Sequence, residues 1–247
     1  MADDWDFYSL QVDDLTASIF VDLSLEHEAP VTGFPFMAYV RLYMISPRGD
    51  GLSSQEEFEI LCNLEDALTQ ALANFSSIYV GRNTSDGCRD FIFYVATPEN
   101  WSEQVAQALA GHAGYRYETG YREDATWSVY LDFLLPSPMD REKIENRRVC
   151  ATLERMGDKL EAHREIDHWS YFPTREAADA FLAEVQQLGF QLRSFTSHES
   201  QEPAIGVQIW RNDIPSFSNI DKVTYPISLA ATRHAGKYDG WECPVER

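Results

Sequence analysis

Apolar and polar residues alternate through Ile19-Phe20-Val21-Asp22-Leu23-Ser24-Leu25, so Ile19, Val21, Leu23 and Leu25 share one side of an extended chain. The pattern predicts a half-buried strand. Residues 37–45 predict a second strand, after a Pro- and Gly-containing break at 30–35 and before the turn sequence Ser46-Pro47-Arg48-Gly49-Asp50-Gly51. The period then lengthens. Phe58, Leu61, Leu64, Leu68 and Leu72 fall on one stripe of a helix, and Ser53 followed by Glu56 has capping-box spacing. Residues 77–80 and 89–96 read as a hairpin around Asn83-Thr84-Ser85-Asp86-Gly87. Asn100 with Glu103 predicts the start of a second helix carrying Val105 and Leu109, with Gly111 in the left-handed position at its end. Tyr115, Tyr117, Thr119 and Tyr121 alternate as a further strand, and residues 127–135 predict an edge strand before Pro136-Ser137-Pro138.

From Met139 onward the chain becomes charged, with Val149, Leu153, Met156 and Leu160 on one helical stripe. The domain boundary is placed here: a first domain at 1–138, a charged connecting helix at 139–163 and a second domain at 164–247. That helix could equally be the first element of the second domain, and the sequence does not choose. The second domain opens with a strand at 166–172. A helix begun by Pro173 and Thr174 follows, turning Ala178, Phe181, Leu182, Val185 and Leu188 inward and ending at Gly189. Strands at 190–197 and 205–210 flank a polar loop at 198–203, a weaker helix lies within 220–234, and an extended segment closes the chain. Both halves run strand, helix, hairpin, helix, extended segment. The order predicts an α+β protein of two tandem ferredoxin-like α/β sandwich domains with antiparallel sheets.

Composition narrows the function. With 247 residues, 44% of them hydrophobic, the chain can bury a core in each half. The formal net charge is −20, from 20 basic against 40 acidic residues. A field of that sign repels polyphosphate, so no direct nucleic-acid contact is expected, whereas a protein partner with a basic surface is its natural complement. Solubility alone is the other reading of the charge. No run approaches the length needed to span a bilayer and the start Met1-Ala2-Asp3-Asp4 is acidic, so a cytoplasmic protein without membrane contact is expected. The scattered Cys62, Cys88, Cys150 and Cys243 form no C-x-x-C pair.

Phosphate-cradling, nucleophile-elbow and zinc-helix motifs are absent from the sequence, and no cofactor is expected. His163, Glu165, Asp167 and His168 are the densest group of ligating residues. On a strand, however, the first three face one way and His168 the other, which does not converge on a metal. Asp239 and Glu242, with Tyr238 and Trp241 between them, could be drawn as an acid/base pair beside an aromatic platform. A buried Trp241, a turn at Asp239-Gly240 and a solvated Glu242 account for the same residues without catalysis.

The string Gly236-Lys237-Tyr238-Asp239-Gly240-Trp241-Glu242, with His168-Trp169-Ser170-Tyr171-Phe172-Pro173 and Gly189-Phe190, resembles the RraB family of regulators (inhibitors) of ribonuclease E activity. The likeness covers about residues 165–242. It implies a non-catalytic acidic α+β sandwich that binds an endoribonuclease, with Tyr238, Asp239, Trp241 and Glu242 as partner-binding residues. Trp5-Asp6-Phe7-Tyr8, Asp50-Gly51-Leu52, Tyr79-Val80-Gly81, residues 89–94 and Asp124-Ala125-Thr126-Trp127 resemble a second, uncharacterised bacterial family of unknown function, over about residues 4–136. The alternative to a protein-binding regulator is a small-molecule sensor or enzyme with its site in a cleft between the two domains, lined by Tyr39, Tyr43, Arg89 or Tyr117. A scaffold that only dimerises is a third reading.

Overall fold

The chain divides into two units, Met1–Ser137 and Pro138–Arg247. The computed structural model describes residues 4–12, 15–112, 114–197 and 205–246, so the polar loop expected at 198–203 lies outside the described residues. Among the described residues, no helix is long and apolar enough to cross a membrane.

In the first unit, strands β1 (Trp5–Val12), β2 (Leu15–Asp22), β3 (Phe36–Tyr43), β4 (Ser77–Ser85), β5 (Cys88–Val95) and β6 (Tyr117–Glu123) form one antiparallel sheet in the order β1-β2-β4-β5-β3-β6. Alternation places Ala38, Val40 and Leu42 of β3 and Phe91, Phe93 and Val95 of β5 on one face. Helices α1 (Gln55–Leu72) and α2 (Trp101–Ala108) cover that face with Leu61, Leu64, Leu68, Leu72, Trp101 and Val105. The intervening residues of β5 point the other way. There Tyr94 stacks on Trp127 with ring centroids 4.0 Å apart, and Tyr130 donates to the carbonyl of Asp22 at 2.6 Å.

The segment expected as an edge strand at 127–135 is instead a π-helical turn, Val129–Leu134, laid against this second face. Asp124 is the cause. Its carboxylate accepts from the Ser128 and Val129 amides and from the Tyr94 hydroxyl, which winds the chain and seats the aromatic rings. The first strand also differs: it ends at Asp22, whose carboxylate accepts from the Ser24 amide and starts a 3-10 turn over Leu23–His27. Strand β1 was not anticipated. Helix α1 is capped by Ser54, one residue beyond the expected Ser53: Ser54 Oγ accepts from the Glu57 amide. Asn100 precedes α2 in a left-handed conformation without a capping bond, and Gly111 is not among the glycines of positive φ.

In the second unit, β7 (Arg164–Phe172), β8 (Gln191–Ser197), β9 (Ile205–Asp213) and β10 (Lys237–Glu242) form an antiparallel sheet in the order β10-β7-β9-β8. Helices α3 (Pro138–Arg155), α4 (Arg175–Gln187) and α5 (Ile220–Arg233) share its single core. There Cys150, Phe181, Val185, Val223 and Ile227 meet Ile166, Phe172, Val207, Ile209 and Trp241. The charged helix α3 thus belongs to this unit. It stops at Arg155, short of residue 162, where Gly157 turns left-handed at φ +92° and Asp158 pairs with the buried Arg164.

Both units contain the same split β-α-β order, β6-β3-β5-β4 in one and β10-β7-β9-β8 in the other. Their accessory parts differ. In the first unit the β1–β2 hairpin extends the sheet past β4, so it departs from a plain ferredoxin-like sandwich, while β8, the counterpart of β4, is an edge strand.

Candidate functional site

Strand β10 carries the residues singled out from sequence, and its pairing with β7 decides where each one points. Tyr238 lies opposite Ser170, Gly240 opposite Trp169 and Trp241 opposite His168, so Asp239 is an extra residue in a bulge. In a regular strand, positions three apart face opposite ways. The bulge instead turns both Tyr238 and Trp241 toward the core. Gly240 accommodates it at φ +121°.

Trp241 is 7% exposed and donates its indole N–H to Asn146 Oδ1 at 2.8 Å. The amide of Asn146 in turn donates to Asp221 and Thr224 of α5, at 2.8 Å each, so one buried side chain ties α3, α5 and β10 together. The Tyr238 hydroxyl and His168 Nδ1 are 2.9 Å apart. His168 is fully buried, and its Nε2 has no hydrogen-bond partner among the described residues. Burial, helped by the charge of Arg211, pushes its pKa down to about 3, so the ring is neutral near pH 7. Burial also raises the pKa of Tyr238 far above the ordinary tyrosine value, reinforced by Glu142 and Asp239. Asp239 and Glu242 are exposed. The string is therefore divided, with two aromatics holding the sheet to its helices and two carboxylates facing solvent.

The sheet face away from the helices gathers a second group. Glu242 lies opposite Asp167 on this side, and β7 adds Glu165, Trp169 and Tyr171 by simple alternation. From β9 come Gln208 and the partly buried Trp210. Arg193, in a bulge of β8, donates to Asp167 at 2.5 Å and to Glu165 at 2.7 Å, with its guanidinium 5.0 Å from the Trp210 ring centroid. Gly206 leaves space for Tyr171, since a Cβ there would sit 3.2 Å from the ring. The surface is thus a shelf of partly buried aromatic rings beside the ion pairs of Arg193.

The His/carboxylate group read from sequence separates as its alternation implies: Glu165 and Asp167 engage Arg193, and His168 enters the core. No metal-binding group of His, Cys, Asp and Glu occurs among the described residues. Of the residues named for a small-molecule cleft, Arg89 lines a cavity within the first unit, and Tyr39, Tyr43 and Tyr117 are not part of that lining. Sequence reasoning missed Arg193, Trp210 and Asn146. The period of β7 could have pointed to the shelf, but the bulges that orient Arg193 and Trp241 leave no comparable periodic mark.

Residues 3–135 match the family described as "Family of unknown function (DUF695)", and residues 143–243 match "Regulator of ribonuclease activity B", RraB. Two solved structures are similar: an unknown protein from Galdieria sulphuraria (11% identity, 84% of this chain and 98% of that one, TM-score 0.23) and a putative glycine cleavage system transcriptional repressor (10% identity, 85% and 98%, TM-score 0.24). At such scores neither likeness bears on fold or function. No curated protein matches the sequence. The chain belongs to the DUF695 family, which spans more than half of it, and its second unit carries the RraB match.

Proposed function

We propose that the chain is a non-catalytic regulatory protein whose second unit binds another protein, and that this partner is an endoribonuclease of the ribonuclease E type. The observation that carries the reading is the RraB match over residues 143–243, the same stretch that builds the aromatic shelf and the exposed carboxylates of β10. Trp169 and Trp210 supply the large, rigid rings that dominate binding energy at protein interfaces. Asp239 and Glu242 sit where rim charges act, and a net charge of −20 favours encounter with a basic surface. Tyr238 and Trp241 contribute from inside, fixing the strand that presents those carboxylates. A cytoplasmic location accords with this role.

The test mixes the purified full chain with a purified ribonuclease E-type enzyme and follows cleavage of a defined RNA, with binding read by calorimetry. Stoichiometric binding at low salt that weakens as salt rises, together with a changed cleavage rate, is the expected result. Trp169→Ala should weaken binding by at least about tenfold, equivalent to ~1.4 kcal/mol. An unaltered cleavage rate and no heat at about 50 mM salt would sink the reading.

A further inference from the structure

We propose that the first unit holds a binding site for a small phosphate monoester, in a cavity of about 400 Å³ beside the start of α1, independent of the ribonuclease reading. In a chain with twice as many acidic as basic residues, the described residues that line the cavity include Arg48, Arg82 and Arg89 and no carboxylate, with Asp50 paired to Arg48 and Glu65 to Arg82.

Sheet register assembles it. Ser18 of β2 pairs with Thr84 of β4, which pairs with Arg89 of β5, so the three form one row across the sheet on the helix-bearing face, and Arg82 lies two residues along. The β1–β2 hairpin is therefore part of the wall. The loop before α1 supplies the rim. Its Arg48 amide donates to the Leu52 carbonyl at 2.7 Å, and the Gly87 amide donates to Gly51 at 2.9 Å, tying the loop to the β4–β5 turn. Gly51 is required there: its φ is +80°, and a Cβ would lie 2.8 Å from the Asp86 nitrogen.

The charge in this cavity is incompletely answered. Arg89 is 1% exposed, yet among the described residues its Nε and Nη1 have no hydrogen-bond partner, and Nη2 reaches only Ser53 Oγ at 3.5 Å. Buried donors are normally satisfied, and an exception needs an explanation, of which an acceptor bound in the cavity is one. The adjacent carboxylate is Glu65, whose Oε1 already accepts from Tyr79 and from Arg82, both at 2.7 Å, while its Oε2 stands 3.8 Å from Arg89. One carboxylate thus serves two guanidinium groups. Burial and then the neighbouring Arg82 lower the pKa of Arg89, against the opposing pull of Glu65.

Phosphate suits the site better than carboxylate. Three guanidinium groups, of which Arg48 also pairs with Asp50 and Arg82 with Glu65, and the hydroxyls of Ser18, Ser53 and Thr84 offer more donors than two oxygens can use, and they match the three terminal oxygens of a phosphate ester. The organic part has an apolar wall in Phe58, 44% exposed, whose ring centroid lies 5.9 Å from the Arg89 guanidinium. The volume fits a small ligand.

The experiment titrates the full chain with phenyl phosphate, with inorganic phosphate and with benzoate at constant ionic strength, by calorimetry. Phenyl phosphate should bind at least about tenfold more tightly than benzoate, a gap of ~1.4 kcal/mol. Because Arg89→Gln disturbs a buried position, the decisive variants are the exposed Arg48→Ala and Phe58→Ala, each checked for unchanged melting. Arg48→Ala should weaken both phosphates by about tenfold or more, whereas Phe58→Ala should weaken phenyl phosphate alone. Absence of phenyl phosphate binding at about 5 mM, equal affinity for benzoate, or titrations unchanged in both variants would overturn the proposal.

Discussion

The two sheets share a strand order and differ in what lies against the face opposite their helices. In the first unit, the chain from Asp124 to Leu134 folds back over that face, burying Trp127 and Tyr130 completely against the sheet. In the second unit, the corresponding face keeps Trp169, Tyr171 and Trp210 only partly buried amid ion pairs. The first unit closes its sheet and, through the added hairpin, walls a cavity at the other face. The second leaves its aromatic shelf partly exposed. Topology alone therefore does not decide which sheet face is covered; accessory segments do.

Removing one tryptophan from each such face is the strongest way to break this comparison. Trp127→Ala should cost about 3–5 kcal/mol of first-unit stability, because it opens a cavity under Tyr94 and leaves the Phe34 carbonyl without its indole donor at 2.9 Å. Trp169→Ala should cost only about 1 kcal/mol in the second unit. Hydrogen exchange resolved by segment gives both values, and equal losses would show that the two faces are not different in kind.

Acid should separate the units next. Neutral His168 is retained in the fold down to about pH 3, whereas an unfolded histidine gains its proton near 6.5. The unfolded second unit therefore binds the extra proton within that window, and stability falls as pH drops through it, by up to about 1.4 kcal/mol per pH unit. The first unit behaves otherwise. Burial of Asp124 opposes its charge, but hydrogen bonds from Tyr94, Val129 and Ser128 outweigh it and hold the pKa at about 2. Its contribution is present above the ordinary aspartate pKa and is lost only as pH falls toward 2. Exchange measured from pH 7 to 3 should show the second unit loosening first, and His168→Leu should flatten its pH response.

Helix caps give a smaller, symmetric effect. Ser54 and Thr174 each accept from the amide three residues on, at 3.3 and 3.2 Å, so Ser54→Ala and Thr174→Ala should each cost about 1 kcal/mol in their own unit. A larger loss for Ser54, which also lines the cavity, would mean that the loop before α1 depends on the cap. Asp239→Ala and Glu242→Ala should change stability least, by no more than about 0.5 kcal/mol, because both carboxylates are exposed. Under the proposed function, their effect is expected in the salt dependence of binding.

Much of the second unit was legible. Period-two alternation in β7 set Glu165 and Asp167 against His168, and the structure keeps that division. The helical stripe of α1 was equally plain. The segment at 127–135 was misread because its aromatic run suits a strand, and the winding comes from Asp124, which bonds to the Ser128 and Val129 amides and to Tyr94, 30 positions away in sequence. The candidate site was half legible: Tyr238, Asp239, Trp241 and Glu242 stood out as a string, but their division between core and surface depends on one bulge.

By itself the sequence determined the α+β class, the acidic field and the likeness of each half to a family, since periodicity, charge and short motifs are local or additive properties. Only tertiary structure decided which faces stay open, that Trp241 hydrogen-bonds Asn146, and that Arg48, Arg82 and Arg89 meet around one cavity. Those outcomes depend on register, bulges and chain return, which join residues far apart in the chain and leave no periodic trace within it.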